Sequence, residues 1–140
     1  MAEVVVSGEI NVPAKQLWAL LLDFGSVDWM QGVTQLEVQG EGEGMSRIIG
    51  EGDQAIIEVL ESIDEDAQQI GYTITQNNPM PVSEYHARCK AVDLGDGRSQ
   101  LDWSCEFAPA EGIDEASARA ALEVMYGLLI GWVKTSLEAE

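Results

Sequence analysis

Apolar residues at every second position open the chain and predict a half-buried strand, because alternate side chains of a strand point to opposite faces. These apolar positions are Val4, Val6, Ile10 and Val12. Pro13 suits the first turn of a helix, where its missing N–H needs no partner, and apolar residues at helical spacing follow it to about Asp23. A second short helix is predicted between Ser26, its cap, and Gly32.

From residue 33 onward, apolar segments alternate with turn-forming residues and predict six further strands. They span residues 33–39, 46–50, 55–62, 69–76, 82–92 and 99–107. Connections this short favour antiparallel neighbours. A final helix is predicted from its N-cap, Asp114, to about Leu137. At ~1.5 Å per residue it is about 35 Å long, enough to cross the domain.

The last two predicted strands alternate most clearly. One face of the first carries Tyr85, Ala87, Cys89 and Ala91, and one face of the second carries Leu101, Trp103, Cys105 and Phe107. The opposite faces carry a basic row and an acidic row, so a register that buries both apolar faces also pairs bases with acids. This register keeps Cys89 out of direct pairing with Cys105, which disfavours a disulfide. Both thiols are expected to be reduced core residues.

The final helix is expected to pack one broad apolar face on the sheet. That face is predicted to carry Ala121, Val124, Met125, Leu128, Leu129, Trp132 and Val133. Gly127 and Gly131 interrupt the helix, and each costs about 1 kcal/mol relative to alanine. They predict a strand or helix packed closely against them, or alternatively room for a ligand.

Composition limits the classes of partner. Residues 1–140 are expected to form a single domain with one core. The 25 acidic and 7 basic residues give a formal net charge of -18. This charge would repel a phosphate backbone and an anionic membrane surface, so nucleic acid is not an expected partner.

The N-terminal residues lack the basic flank and apolar stretch of a secretory signal. No uninterrupted apolar run approaches the ~18 residues that span a bilayer. We therefore expect a cytoplasmic protein without membrane insertion.

Cofactor chemistry has little support in the sequence. One histidine and two cysteines in different predicted strands do not provide a cluster of metal ligands. The glycine-rich segment 40–44 joins two strands and does not precede a helix, as a phosphate-binding loop would. His86 lies in the outward basic row and is expected to be a surface residue. No metal and no cofactor are predicted.

Several short motifs, in this order along the chain, resemble the START-like superfamily. They are Val12-Pro13 with Leu17-Trp18, Asp23-Phe24, Trp29, Gly44 with Arg47, Glu58-Val-Leu60 with Asp64, Tyr72-Thr-Ile74, and Trp103 with Phe107. This superfamily includes the birch-pollen-allergen fold, the polyketide cyclase/dehydrase and lipid-transport-like proteins, and the plant abscisic-acid receptors. The resemblance covers nearly the whole chain. It implies an α+β helix-grip fold, in which a curved seven-stranded antiparallel sheet surrounds the long C-terminal helix and two short helices separate strands 1 and 2.

The resemblance also implies a hydrophobic cavity whose mouth two loops can close, here residues 50–54 and 76–82. Met80, between Pro79 and Pro81, is expected to be an exposed apolar tip of a stiff lid. The first loop offers Glu51 and Asp53 where the plant receptors have an apolar, proline-containing gate. Partner binding in the manner of those receptors is therefore not expected.

By the same resemblance, Glu58 lies on the inward face of its strand, and Tyr85 faces it across the cavity. A partly buried carboxylate loses hydration, which makes Glu58 a candidate acid, base or ligand anchor. Alternation alone leaves the face of Glu58 open, and Arg47 is either its counter-ion or a surface residue. Glu58 and Tyr85 are the candidate catalytic pair. The expected ligand contacts are Arg47, Ile56, Leu60, Tyr72, Ile74, Met80, Ala87, Trp103, Cys105, Met125, Leu128, Leu129 and Trp132.

Three functions are consistent with these residues. The first is a carrier or sensor, a monomer or homodimer, that binds a small hydrophobic molecule of lipid, polyketide or aromatic type. The second is an enzyme of cyclase or dehydratase type, in which Glu58 moves a proton while Tyr85 hydrogen-bonds an enolate oxygen. The third is a protein-interaction module whose cavity is collapsed around Met125, Trp132 and Tyr72.

Overall fold

The computed structural model describes residues 1–139. Seven strands form one antiparallel sheet in the order β1-β7-β6-β5-β4-β3-β2. The strands are β1 (Ala2–Ile10), β2 (Leu36–Gln39), β3 (Ser46–Ile49), β4 (Ile56–Asp64), β5 (Gln69–Gln76), β6 (Val82–Gly95) and β7 (Arg98–Pro109). The α-helices are α1 (Ala14–Leu22) and α2 (Glu115–Glu138), and Gly52–Gln54 is a short 3₁₀ turn. This architecture confirms the predicted α+β class and the helix-grip arrangement.

The segment between α1 and β2 forms turns in place of the second predicted helix. The N–H of Met30 donates to the carbonyl of Val27 at 2.8 Å, a single turn. Gly32 then takes a positive φ of 83°. A segment this short gains too few hydrogen bonds to offset helix nucleation. Buried contacts of Val27 and Trp29 hold it against the domain.

The β6–β7 hairpin has the predicted register. Cys89 pairs with Trp103 and Lys90 pairs with Asp102. The apolar residues predicted to face inward are all buried. Asp96 and Gly97 form the two-residue connection, both with positive φ, which suits the right-handed twist of the flanking strands. Both cysteines are free and buried, as predicted.

The buried face of α2 is rotated from the predicted one. Its buried residues are Ala118, Leu122, Tyr126, Leu129, Ile130 and Val133. Val124 is 75% exposed and Leu128 is 47% exposed, so neither meets the sheet. The helix crosses β1 at Gly8, where the γ2 methyl of Ile130 fills the space a Cβ would need. This contact turns Ile130 inward and Val124 outward.

The two helix glycines do not mark close packing, which corrects that prediction. A Cβ added at Gly127 or Gly131 would meet no atom within 4 Å. Both residues are exposed.

The helix α2 is the one helix of residues 1–139 whose length and composition would allow it to cross a membrane. The same test is passed by core helices of soluble proteins. Leu122, Tyr126 and Val133 of α2 are fully buried.

Candidate ligand-binding site

A cavity of about 340 Å³ lies between the sheet and α2. Its wall is formed by three groups of residues, from the sheet, from α2 and from two loops at the mouth. The sheet contributes Arg47, Ile49, Ile56, Glu58, Tyr72, Ile74, Tyr85 and Trp103; α2 contributes Met125, Tyr126, Leu129 and Trp132; the loops contribute Met30, Gln31, Gly32, Val33, Pro79 and Met80. The volume lies at the low end of the range for small-molecule pockets, about 300–1,000 Å³. The cavity is therefore not collapsed.

A buried ion pair forms one polar part of this wall. Arg47 in β3 and Glu58 in β4 are direct cross-strand partners, and Nε of Arg47 lies 2.5 Å from Oε1 of Glu58. Their residues are only 5% and 7% exposed. Glu58 thus faces inward, and Arg47 is its counter-ion and not a surface residue.

The end of α1 fixes the orientation of Arg47. Its Nη1 donates to the carbonyl oxygen of Phe24 at 3.2 Å. Its Cζ lies 3.9 Å from the centre of the Phe24 ring, within the range of a cation–π contact. The guanidinium is therefore held by Glu58 on one side and by Phe24 on another.

Three tyrosines form the second polar part of the wall. The hydroxyl groups of Tyr85 and Tyr126 share a short hydrogen bond across the cavity, from β6 to α2. The indole Nε1–H of Trp103 donates to the hydroxyl of Tyr72 at 3.1 Å. Because an indole N–H can only donate, the proton of Tyr72 remains available for another acceptor.

These phenols are acids only at high pH. Burial is the main cause that raises the pKa of Tyr72, Tyr85 and Tyr126 well above the ordinary value. For Tyr85, the neighbouring Tyr126 raises the pKa further. All three therefore stay protonated at neutral pH and act as hydrogen-bond donors and acceptors, not as bases.

The mouth of the cavity differs from the prediction at both loops. Met80 is 9% exposed and points into the cavity, so it is not an exposed lid tip. Residues 50–54 do not line the cavity, whereas the loop residues Met30–Val33 do. The side-chain amide of Asn77 donates to the backbone carbonyls of Asp53 and Ala55, which joins the two predicted loops to each other.

Most of the predicted site residues come together on this wall. The predicted residues that line the cavity are Arg47, Ile56, Glu58, Tyr72, Ile74, Met80, Tyr85, Trp103, Met125, Leu129 and Trp132. Leu60, Ala87 and Cys105 are buried in the core but do not line it. Leu128 is exposed and lies away from it, for the reason given above for α2.

The cavity wall contains neither the histidine nor a cluster of metal ligands. Within residues 1–139, no group of three or more His, Cys, Asp or Glu side chains is placed to hold a metal ion. His86 is on the outer face of the sheet, where its Nδ1 lies 3.0 Å from Oε1 of Glu61. The sequence had predicted this surface position.

A sequence model of the family described as "Polyketide cyclase / dehydrase and lipid transport" matches residues 1–139. The chain belongs to this family. No curated protein sequence matches it.

Solved structures similar to this family member share its whole fold. An uncharacterised protein from Bacillus thuringiensis is 25% identical, with a TM-score of 0.80, over 96% of this chain and 98% of the other. The protein XoxI from Bacillus cereus is 26% identical, with a TM-score of 0.80, over 99% and 97% of the two chains. Truncated norcoclaurine synthase from Thalictrum flavum is 14% identical, with a TM-score of 0.80, over 99% and 94%. This last likeness shows the fold alone.

Sequence reasoning missed Tyr126, which hydrogen-bonds Tyr85 inside the cavity of this family member. The predicted helix face was centred on Met125 and Trp132, and Tyr126 lies just beyond its edge at Val133. A signal was present in the sequence: Ala118, Leu122, Tyr126 and Val133 follow the spacing of a helix face. The loop residues Met30–Val33 carried no comparable signal, because their position depends on how the turns after α1 pack.

Proposed function

We propose that this protein binds a small hydrophobic molecule in the cavity between the sheet and α2, as a carrier or sensor. The observation that carries the proposal is the cavity itself, about 340 Å³ with an apolar wall and two polar groups. The description of the family that the chain belongs to includes lipid transport, which supports the same function. We place this binding in the cytoplasm, in agreement with the two free thiols.

The apolar wall supplies affinity and the polar groups supply orientation in this proposal. Burial of apolar ligand surface contributes roughly 25 cal/mol per Å² before the cost of association. Aromatic side chains of Tyr72, Trp103 and Trp132 offer flat surfaces to a ring or to a hydrocarbon chain. Arg47, Glu58 and the pair Tyr85–Tyr126 orient a single oxygen function of the ligand.

The proposal is tested by native mass spectrometry of the protein purified from its own host, followed by extraction and identification of the bound compound. We expect a protein–ligand mass with one apolar molecule per chain. A clean apo mass, together with no thermal stabilisation by a panel of lipids, polyketides and aromatic compounds, would contradict it.

Proton transfer is the second candidate function, and one observation favours it: Glu58 and the Tyr85 hydroxyl line the same cavity. The carboxylate of Glu58 can take up a proton, and the neutral phenol of Tyr85 can donate a hydrogen bond to an enolate oxygen. Once a ligand is known, Glu58→Gln and Tyr85→Phe separate the two functions. Loss of turnover with retained affinity supports an enzyme, whereas parallel loss of affinity alone supports a carrier.

A further inference from the structure

The charges on the cavity wall are balanced inside the wall. Among residues 1–139, Arg47 is the one cationic side chain that lines the cavity, and Glu58 is the one anionic side chain. Their contact at 2.5 Å leaves the pair with no net charge. The guanidinium is further occupied by the carbonyl and the ring of Phe24.

The remaining groups around the pair are neutral. Tyr72 in β5 and Cys89 in β6 are the titratable side chains that interact electrostatically with both Arg47 and Glu58. Burial raises the pKa of each well above its ordinary value, so both stay protonated at neutral pH. Across the cavity, Tyr85 and Tyr126 are protonated for the same reason.

An anionic ligand would therefore enter a site that has no free cation. A carboxylate loses its hydration on burial, a cost that is offset only by an opposite charge or by several hydrogen bonds. The carboxylate of Glu58 already occupies the position opposite Arg47 and would repel a second one. An uncharged ligand oxygen avoids both costs and can still accept a hydrogen bond from Tyr72 or from the Tyr85–Tyr126 pair.

We infer that the Arg47–Glu58 pair makes the cavity selective for uncharged ligands, and that Glu58 is the residue that excludes carboxylates. This inference rests on the proposed function and names the ligand class for the same site. The site accepts neutral aromatic, polyketide and alcohol ligands. It rejects free fatty acids and aromatic acids.

The test uses two probes of nearly equal shape, naphthalene carboxamide and naphthalene carboxylate, titrated into the full chain by calorimetry at pH 7. We expect the Kd of the wild type for the carboxamide to be at least about tenfold lower than its Kd for the carboxylate. Equal affinities would overturn the inference and leave the proposed function standing. Failure of both probes to bind would overturn the inference, whereas the proposed function is judged separately by the native mass spectrum and the ligand panel.

The variant Glu58→Gln tests the assigned residue. It keeps the size of the side chain but leaves Arg47 with an uncompensated charge, so the preference is expected to reverse in favour of the carboxylate. The matched control is Glu106→Gln, which removes one negative charge from the Arg88–Glu106 pair on the outer face of the sheet. The control is expected to keep the wild-type preference. An unchanged preference in Glu58→Gln, or a reversal in Glu106→Gln, would overturn the inference.

A measurement on the wild type covers the case in which Glu58→Gln does not fold. If the site accepts only the protonated acid, the apparent Kd for naphthalene carboxylate rises about tenfold per pH unit above the carboxyl pKa, which is about 4. The expected slope between about pH 5.5 and 7.5 is therefore close to one. A flat profile would overturn the inference. The carboxamide, measured in parallel, is expected to show no such slope.

Discussion

Gly8 is a residue at which β1 and α2 approach each other closely. It lies in β1 opposite α2, and a Cβ built on it would be 2.6 Å from the γ2 methyl of Ile130. Ile130 is 6% exposed and branched at its β-carbon, so its methyl group has little freedom to move. Gly8 therefore allows α2 to seat on the sheet, and it does so by its lack of a side chain, not by an unusual backbone angle.

We predict that Gly8→Ala lowers the free energy of unfolding by about 1–3 kcal/mol, the usual cost of overpacking a core. The matched control is Gly127→Ala, the same chemical change at an exposed site of α2 where a Cβ meets nothing within 4 Å. There alanine removes the conformational penalty of a helix glycine and is expected to stabilise by about 1 kcal/mol. Urea unfolding of both variants measures the two effects. Equal effects would contradict the close approach at Gly8.

For single residues, the sequence predicted which side chains line the cavity better than it predicted the face of the strand on which each one lies. Glu58, Tyr85 and Tyr72 were placed in the cavity, and they line it. The face of Glu58 could not be decided from alternation because Ile56, Ile57 and Val59 are all apolar. The structure decides it through the direct pairing of Glu58 with Arg47. Cross-strand register is a tertiary property, which periodicity along one strand does not contain.

Among the elements, α2 is stabilised by a hydrogen bond in its first turn. The carboxylate of Asp114 accepts a hydrogen bond from the backbone N–H of Ser117 at 2.9 Å, the N-cap predicted from sequence. Hydrogen bonds from Ser117 hold the pKa of the Asp114 carboxyl below its ordinary value. The folded state therefore favours the ionised form. The stabilisation is fully present above the unfolded pKa and is lost as the pH falls through the lower folded pKa.

We predict that Asp114→Ala lowers the melting temperature at pH 7, and that this difference shrinks as the pH falls toward about 2.5. Asp114→Asn keeps an oxygen acceptor but loses the charge, so its deficit is expected to be smaller at pH 7, and it also shrinks as the pH falls because the wild type loses the ionised cap. Thermal unfolding followed by circular dichroism measures both. A deficit of Asp114→Ala that grows in acid would contradict the role of the ionised cap.

Element boundaries were predicted where local signals were strong. The span of β5, the N-cap of α2 and the register of the β6–β7 hairpin agree with the structure. The second short helix was predicted from a cap and a stop signal, but a segment of this length is decided by packing, and it forms turns. The predicted and the buried faces of α2 share Leu129 and Val133, but the buried face is rotated to include Leu122, Tyr126 and Ile130. Contact with Gly8 selected the other face.

At the scale of the whole molecule, the helix-grip fold was predicted from the resemblance to the START-like superfamily, which rests on the order of the elements and their motifs. There are few ways to bury the apolar faces of these elements together, which are a strand, a helical segment, six closely spaced strands and one long amphipathic helix. The cavity was expected from the resemblance, but its size and its loop lining could not be predicted because they depend on how the elements pack. Its loop lining combines Met30–Val33 with Pro79 and Met80, residues far apart in the chain.

The central claim is that an apolar ligand occupies the space between the sheet and α2. The most direct measurement is calorimetric titration of naphthalene carboxamide into the variant Ile74→Trp, which fills the cavity from β5. The matched control is Ile57→Trp, on the outer face of β4, where Ile57 lines a separate groove with Ile48. We predict that affinity falls by at least about tenfold in Ile74→Trp and is kept in Ile57→Trp, with both variants folded. Unchanged affinity in a folded Ile74→Trp would contradict the claim.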